Sequence, residues 1–411
     1  MFVALGLVVG LAACSAEPSV EVEGPEQVEV ALPAETTQQL QDAVTAAMTA
    51  TGSSGAVVGV WAPWSGSWVA GLGTQRPGGG AAVTTDMLFP AGKVTRAMTC
   101  DVLFAVAAEG KVDLDDSVAS YLTGAPDISE VTLRQLCDGT SGIGSYTPQL
   151  LPLWLSNPTR TWDARELASY GRGQPGSPVG SAYSDSDAAY VLLGLALERA
   201  TGMRAADLFQ NHVAAPLGLE ATALRSATAG VAPNTLRGYQ SLPGEDGTLD
   251  CAVPTEFTDL SPSVGFTDSG AVTTITELGH YAKALATGAL LADGVERFDD
   301  RLPAYAGAPA WNTATGGTYQ VGSLIGQYGA IPGYLTAAYS DPETGLTVAV
   351  VLNNSANGAG IGAFLAWELA AIASKAPAAS GKQAPEAGLP WTAEQYHEEI
   401  AKRAVCAAPE E

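Results

Sequence analysis

The spacing of apolar residues predicts helices near both ends of the chain, with strands beside them. Leu40, Val44 and Met48 recur at helical spacing within residues 37–51. Apolar runs separated by turn residues predict strands at 55–61, 68–73, 335–340 and 346–352. Further helices are predicted at 93–109, 190–199, 205–213, 274–286, 361–374 and 392–405. This order predicts an α/β (α+β) fold, in which an antiparallel sheet from both chain ends is flanked by helices and a mainly helical domain is inserted.

The first thirteen residues are almost wholly apolar and end in Leu11-Ala12-Ala13 directly before Cys14. Small residues before a cysteine are typical of a bacterial lipoprotein signal peptide, whose cleavage leaves a lipid on the cysteine. The run is too short to cross a bilayer. We expect a signal peptide at 1–13 and a protein lipid-anchored through Cys14 to the outer face of the bacterial cytoplasmic membrane. The alternative is an apolar N-terminus with an incidental cysteine.

Composition divides the rest of the chain and limits its partners. Residues 14–36 are rich in Glu, Pro and Val without periodicity, which predicts an acidic tether. The main domain is then expected at 37–374, followed by a linker and a C-terminal helix within 375–411. The chain has 43 acidic and 19 basic residues, a net charge of −24. Such a surface repels nucleic acid, so no nucleic-acid partner is expected.

Four further cysteines stand at positions 100, 137, 251 and 406. An even number of cysteines outside the cytoplasm predicts two disulfides. Of the three possible pairings we favour Cys100–Cys137 with Cys251–Cys406. Zinc binding is disfavoured because no two cysteines lie close in sequence and the chain has three histidines. We expect neither a metal nor a cofactor.

A series of segments in fixed order carries a family resemblance. The stretch 88–96, Leu-Phe-Pro-Ala-Gly-Lys-Val-Thr-Arg, is followed by Glu-Gly-Lys-Val-Asp-Leu-Asp-Asp at 109–116. Later come Leu-Arg-Gln-Leu at 133–136, Tyr-Val-Leu-Leu-Gly at 190–194 and Pro-Gly-Tyr at 332–334. Together they resemble D-alanyl-D-alanine carboxypeptidases, class C β-lactamases and related esterases. The resemblance covers about residues 37–374 and implies the fold of that family and its serine acyl-transfer chemistry.

The first family motif, Ser-x-x-Lys, is replaced. In the family it places a nucleophile and a base one turn apart at the start of a helix. Lys93 stands at the serine position here and Arg96 at the lysine position. Arginine stays protonated and cannot act as the base. Neither Ser-x-x-Lys nor the Gly-x-Ser-x-Gly elbow of α/β-hydrolases occurs elsewhere in the chain.

The two other family motifs also depart from the pattern. Tyr-x-Asn matches Tyr183-Ser184-Asp185, whereas counting back from Tyr190 gives Asp185-Ser186-Asp187. Both registers put an aspartate where the family has asparagine. The Lys-Thr-Gly or His-x-Gly position is occupied by Gln327, Tyr328 and Gly329. Because two cations at a helix start are unfavourable, we predict that Asp185 or Asp187 pairs with Lys93 or Arg96.

Three functions remain open from the sequence. The favoured one is a pseudoenzyme whose positively charged cleft binds a carboxylate, either on a peptidoglycan peptide or on another envelope protein. The second is a serine hydrolase of carboxypeptidase, β-lactamase or esterase type with relocated groups, for example Ser184, Ser186 or Tyr328. The third is a structural or interaction protein with a collapsed cleft.

Overall fold

The computed structural model describes residues 19–123, 126–385 and 388–406. Its helices lie close to the predicted ones, which are lengthened or shortened by a few residues, and several short helices are added in the middle of the chain. In chain order, α1 to α11 span Ala34–Thr51, Val94–Ala108, Leu133–Asp138, Thr147–Ser156, Ala164–Arg172, Asp187–Thr201, Ala205–Phe209, Phe266–Ser269, Ile275–Thr287, Gly360–Ala373 and Ala393–Lys402.

The central sheet is built from both ends of the chain, as predicted. In chain order, β1 to β13 span Gly55–Ala62, Gly66–Gly73, Phe89–Pro90, Ala223–Leu224, Tyr239–Gln240, Thr255–Glu256, Ala271–Thr273, Leu302–Pro303, Asn312–Thr315, Thr318–Val321, Leu324–Ile331, Tyr334–Ser340 and Thr347–Leu352. Eight of these strands form one antiparallel sheet in the order β2-β1-β13-β12-β11-β10-β9-β8. The N-terminal strand β1 therefore pairs with the late strand β13, which confirms the predicted fold class.

Helices cover both faces of this sheet. In β1, Ala56, Val58 and Val60 belong to the core shared with α1, α10 and α11. Val57, between them in sequence, belongs to the core shared with α2 and α9. Successive side chains of a strand point to opposite faces, so a strand buried on both sides reads as a continuous apolar run. Both faces of the sheet are thus closed by helices.

The inserted part of the chain, between β2 and β8, is mainly helical and contains α2 to α9. A three-stranded sheet in the order β3-β7-β4 joins its parts. Strand β3 pairs with β7, and the chain turns from β3 directly into α2. The small sheet thereby fixes the start of α2, where the sequence places Lys93.

The segments at both chain ends are packed on the domain. Of the predicted tether at 14–36, residues 19–36 are described, and the last three of them belong to α1. Leu32 donates its N–H to Ser67 O of β2 over 3.0 Å. Ser19 and Val20 likewise bond to Pro216 O, so this part is not a free tether. Residues 1–18, including Cys14, lie outside the described residues. None of the described helices is long and apolar enough to cross a membrane.

The C-terminal segment, predicted as a linker and a helix, also belongs to the folded unit. Trp64 donates from Nε1 to Ala376 O over 3.0 Å. Trp391, just before α11, donates to Trp367 O of α10 over 2.9 Å. Its end is fixed by the disulfide Cys251–Cys406, and the second disulfide joins Cys100 to Cys137. Both predicted pairings are therefore confirmed.

Candidate functional site

The start of α2 lies against strand β11. Lys93 is the N-cap residue of α2, and its side chain makes no capping hydrogen bond. Gly92, at φ +56°, turns the chain into the helix. A Cβ at Gly329 would lie 2.8 Å from the backbone N of Lys93, so only glycine allows this approach. The structure thus brings two of the predicted motifs, at 93–96 and 327–329, into contact.

Asp185 joins the third motif to the first. Lys93 Nζ lies 2.9 Å from Asp185 Oδ2 and 3.1 Å from Oδ1. Arg96 Nη1 donates to Oδ1 of the same carboxylate. The predicted ion pair is therefore confirmed, and both cations share one aspartate. Of the two aspartates that the alternative registers place at the asparagine position, Asp185 is the one that reaches the cations.

A second carboxylate, which the sequence analysis missed, completes the charge cluster. Arg96 Nε donates to Asp268 Oδ1 over 2.6 Å, and both side chains are buried. The guanidinium also lies over the Tyr190 ring, 4.7 Å from its centroid. We call Lys93, Arg96, Asp185 and Asp268 the four-charge cluster. The sequence offers one general signal: two cations, one of them buried, call for more than one carboxylate. That signal does not identify Asp268.

The pKa values within the cluster follow from burial and from the opposing charges. Partial burial acts to raise the pKa of Asp185, but Arg96 and Lys93 outweigh it and hold that pKa well below its usual range. Burial raises the pKa of Asp268 in spite of Arg96. Burial acts to lower the pKa of Arg96, yet Asp185 and Asp268 raise it well above its usual value. Arg96 therefore remains a guanidinium.

Asp187, the other predicted partner, serves a different purpose. It is the first residue of α6, and its carboxylate accepts hydrogen bonds from Ser145 Oγ, Tyr146 N (2.7 Å), Thr147 N (3.0 Å) and Thr147 Oγ1. It makes no ion pair with Lys93 or Arg96 in the described structure. Four donors occupy this carboxylate, so Asp187 anchors the loop before α4 to α6.

The Gln327-Tyr328-Gly329 strand supplies neither a cation nor an imidazole to the site. Gln327 is buried; its Nε2 donates to Gly317 O over 2.8 Å, and its Oε1 accepts from Tyr328 N. Tyr328 packs against Tyr319, with ring centroids 5.0 Å apart. Tyr183 donates from its hydroxyl to the Tyr319 hydroxyl over 3.0 Å. A row of three tyrosines therefore borders the cluster.

Comparison with known proteins identifies the family. Residues 40–371 match the Beta-lactamase family model. The chain belongs to the Beta-lactamase family. The family resemblance noted in the sequence is thereby confirmed, and the family consists of serine hydrolases of the β-lactamase and DD-peptidase type.

Individual members of the Beta-lactamase family resemble the chain over different lengths. A D-stereospecific amidohydrolase from Streptomyces sp. has the same fold, with a TM-score of 0.67, 25% identity, and coverage of 78% of this chain and 94% of that chain. A D-aminopeptidase of Cereibacter sphaeroides is 25% identical over 78% of this chain and 60% of its own length. Penicillin-binding protein 4 of Amycolatopsis lactamdurans is 31% identical over 36% of this chain and 39% of its own length. The chain thus spans less than two thirds of these two curated relatives.

Ser186, one of the relocated groups considered from the sequence, is not hydrogen-bonded to a base in the part of the chain that the structure describes. Ser186 Oγ caps α6 by accepting from Ala189 N and donates to Gly144 O. The three histidines lie elsewhere: two approach Glu109 and Glu368, and the pKa of His280 is lowered by burial on α9. Nothing in the described residues groups three or more potential metal ligands. The residues that meet at the site are suited to ion pairing and hydrogen bonding.

Three open cavities of about 620, 770 and 370 Å³ lie away from the cluster and are lined by other residues. At the cluster itself, the Lys93 side chain is 19% exposed and the Asp185 side chain 43% exposed. The solvent-facing part of the site is therefore an ammonium and a carboxylate side by side. Two cations and two carboxylates together carry no net charge, so the expectation of a positively charged cleft is wrong.

Proposed function

We propose that this protein is a member of the Beta-lactamase family that has lost serine acyl transfer and acts by binding. The observation that carries this proposal is the contact of Lys93 and Arg96 with a single carboxylate, Asp185. Acyl transfer needs a hydroxyl nucleophile and a group that takes its proton. An ammonium and a guanidinium held by carboxylates supply neither, and the raised pKa of Arg96 excludes it as a base.

The ligand we propose is the end of a peptide that carries both charges, as a peptidoglycan peptide or a segment of another envelope protein does. A neutral cluster whose exposed atoms are the Lys93 ammonium and the Asp185 carboxylate can pair with an amine and a carboxylate on one ligand. D-Aminopeptidases are among the relatives, which supports a ligand containing D-amino acids. The tyrosine row at Tyr183, Tyr319 and Tyr328 offers an apolar border for such a peptide.

We propose further that the protein acts outside the cytoplasm, anchored through a lipid on Cys14. Two disulfides support an oxidising compartment. The segment that leads away from the anchor is packed on the domain from Ser19 onward. The domain would then lie close to the membrane surface. Mass spectrometry of the protein released from its native membrane tests the anchor, since a diacylglyceryl adduct on Cys14 is expected.

The proposal of lost catalysis is tested by acylation with a reactive penicillin, measured by intact mass of the full chain. The natural protein should gain no adduct. The restoring variant carries Lys93→Ser, Arg96→Lys and Asp185→Asn, and it also needs Asp268→Asn, because a buried aspartate beside residue 96 would keep the new lysine protonated. The same variant with alanine at position 93 is the matched control. Acylation of the restoring variant alone supports the proposal.

An adduct on the natural protein would overturn the loss of catalysis, and its position would identify the nucleophile.

Binding is measured separately, with a fluorescent peptide ending in D-Ala-D-Ala. The natural protein should bind it saturably, and Lys93→Met with Asp185→Leu should weaken binding at least tenfold. The second candidate, a protein that acts only through its outer surface, is favoured by the position of the open cavities away from the cluster. Equal peptide affinity in both proteins, or none in either, would favour that candidate.

A further inference from the structure

A cavity of about 620 Å³ lies between α5, α6 and the segment 121–123, and none of its lining residues belongs to the four-charge cluster. Three of its ten lining residues are arginines: Arg165, Arg172 and Arg199. Ten residues drawn at the composition of this chain, with 19 basic residues among 411, would include fewer than one. The cavity is therefore a positively charged region on the surface of a strongly acidic protein.

Two of the three arginines have no ion-pair partner in the part of the chain that the structure describes. Arg172 is occupied, because its Nε donates to Asp127 Oδ2 over 2.9 Å and its Nη2 to Oδ1. Arg165 and Arg199 are exposed, and neither guanidinium has a carboxylate within salt-bridge distance. In sequence, residues 124–126 follow the lining segment and are Gly, Ala and Pro, which have no acidic side chain.

The carboxylates around the cavity are engaged elsewhere. Glu198, the acidic residue of the lining, accepts the Ala205 N–H over 2.8 Å. Asp163 caps α5 by accepting from the backbone N of Arg165. Glu166 pairs with Arg160. Arg165 moreover lies in the first turn of α5, where the helix dipole disfavours a cation. An anion bound beside it would relieve that unfavourable placement.

The remaining lining is apolar. Leu192 and Ala168 are buried in the wall, and Leu122 and Leu195 are partly exposed to the cavity. A site that combines an apolar wall with a few placed charges is typical of small-molecule sites, and guanidinium groups recognise carboxylates and phosphates well. We propose that this cavity binds an organic anion with an apolar part, held by Arg165 and Arg199 at its charged end. This site is independent of the proposed function of the four-charge cluster.

The experiment is isothermal titration of the full chain at low salt with three probes: octanoate, octan-1-ol and inorganic phosphate. Octanoate should bind saturably, and both other probes at least tenfold more weakly, because each lacks one half of the recognised chemistry. Arg165→Gln/Arg199→Gln should weaken octanoate binding at least tenfold. Lys402→Gln/Arg403→Gln, at the exposed C-terminal end of α11, removes the same charge and should leave octanoate binding unchanged.

Both pairs of substituted residues are exposed, so circular dichroism should show an unchanged fold. Several results would overturn the proposal: no saturable octanoate binding by the natural protein, equal affinity in the Arg165/Arg199 variant, or octanol binding as tightly as octanoate. Phosphate binding as tightly as octanoate would remove the apolar part of the assignment and so overturn it as stated.

Discussion

Arg96 and Asp268 are buried together, with Nε 2.6 Å from Oδ1 and side-chain exposures of 1% and 5%. Arg96 belongs to the first turn of α2, and Asp268 belongs to α8, which leads into β7. The guanidinium also lies over the Tyr190 ring of α6. One side chain therefore connects three elements of the inserted domain. Arg96, at the position of the family's base, therefore has a structural role: it connects α2 to α6 and α8.

Asp268→Asn should destabilise the protein by about 3–5 kcal/mol, because it removes one of the two carboxylates that stabilise a buried guanidinium. The measurement is the midpoint and slope of urea unfolding. The double variant Arg96→Met/Asp268→Leu should recover most of this loss, since replacing both charges leaves no charge unpaired. If the Asp268→Asn variant unfolds at the same urea concentration as the natural protein, the Arg96–Asp268 pair does not stabilise the fold.

Asp185 should stabilise the protein in a pH-dependent way. Its folded-state pKa lies well below that of the unfolded chain because of Arg96 and Lys93. Its contribution is therefore present above the ordinary aspartate pKa and is lost as the pH falls towards the lower folded-state value. Unfolding free energies of the natural protein and of Asp185→Asn, compared between about pH 7 and pH 3, should converge as the pH falls. A difference that does not shrink below about pH 4 would show that the folded state does not lower the pKa of Asp185.

Much of the site could be predicted because it lies in segments with fixed spacing. The Ser-x-x-Lys position is set by its neighbours in sequence, whereas the Tyr-x-Asn position stays open between two registers. Charge balance predicts that an aspartate pairs with Lys93 or Arg96. Asp268 could not be found in this way. It lies 172 residues from Arg96 in sequence, and only the fold brings the two together.

The chain ends were the least predictable part of the fold. Residues 19–33 lack helical or strand periodicity, which predicts an absence of helices and long strands there but does not exclude packing on the domain. Backbone hydrogen bonds such as Leu32 N to Ser67 O hold that segment without any periodic pattern. The region before α11 is similar, because Trp391 anchors it in a core between Trp367 and Tyr396. Single large apolar residues such as Trp391 make these packing contacts, and the average composition of a segment does not reveal them.

Asp138 should make the protein less stable as the pH rises from about 4 to 6. Burial raises the pKa of this aspartate from 3.8 to about 6, against the lowering effect of Arg134. The folded state therefore keeps a proton that the unfolded chain has already released, so stability falls across this interval and is constant above it. Asp138→Asn keeps the acceptor for Gly316 N and should remove this slope. Thermal unfolding at half-unit pH steps measures it, and an unchanged slope in the variant would exclude Asp138 as its source.

The disulfide Cys251–Cys406 should matter more to stability than its place at the chain end suggests. It closes a loop of 155 residues, whereas Cys100–Cys137 closes one of 37. Chain entropy predicts a stabilisation of up to about 5 kcal/mol for the longer loop and about 4 for the shorter. Cys251→Ser/Cys406→Ser should therefore lower the free energy of unfolding by several kcal/mol, measured with urea. Val405 and Cys406 donate their N–H groups to Ala50 O at the end of α1, so loss of the bridge should also loosen α1. Hydrogen exchange in α1 distinguishes the two effects: unchanged protection there, together with lower global stability, would assign the whole effect to the unfolded chain.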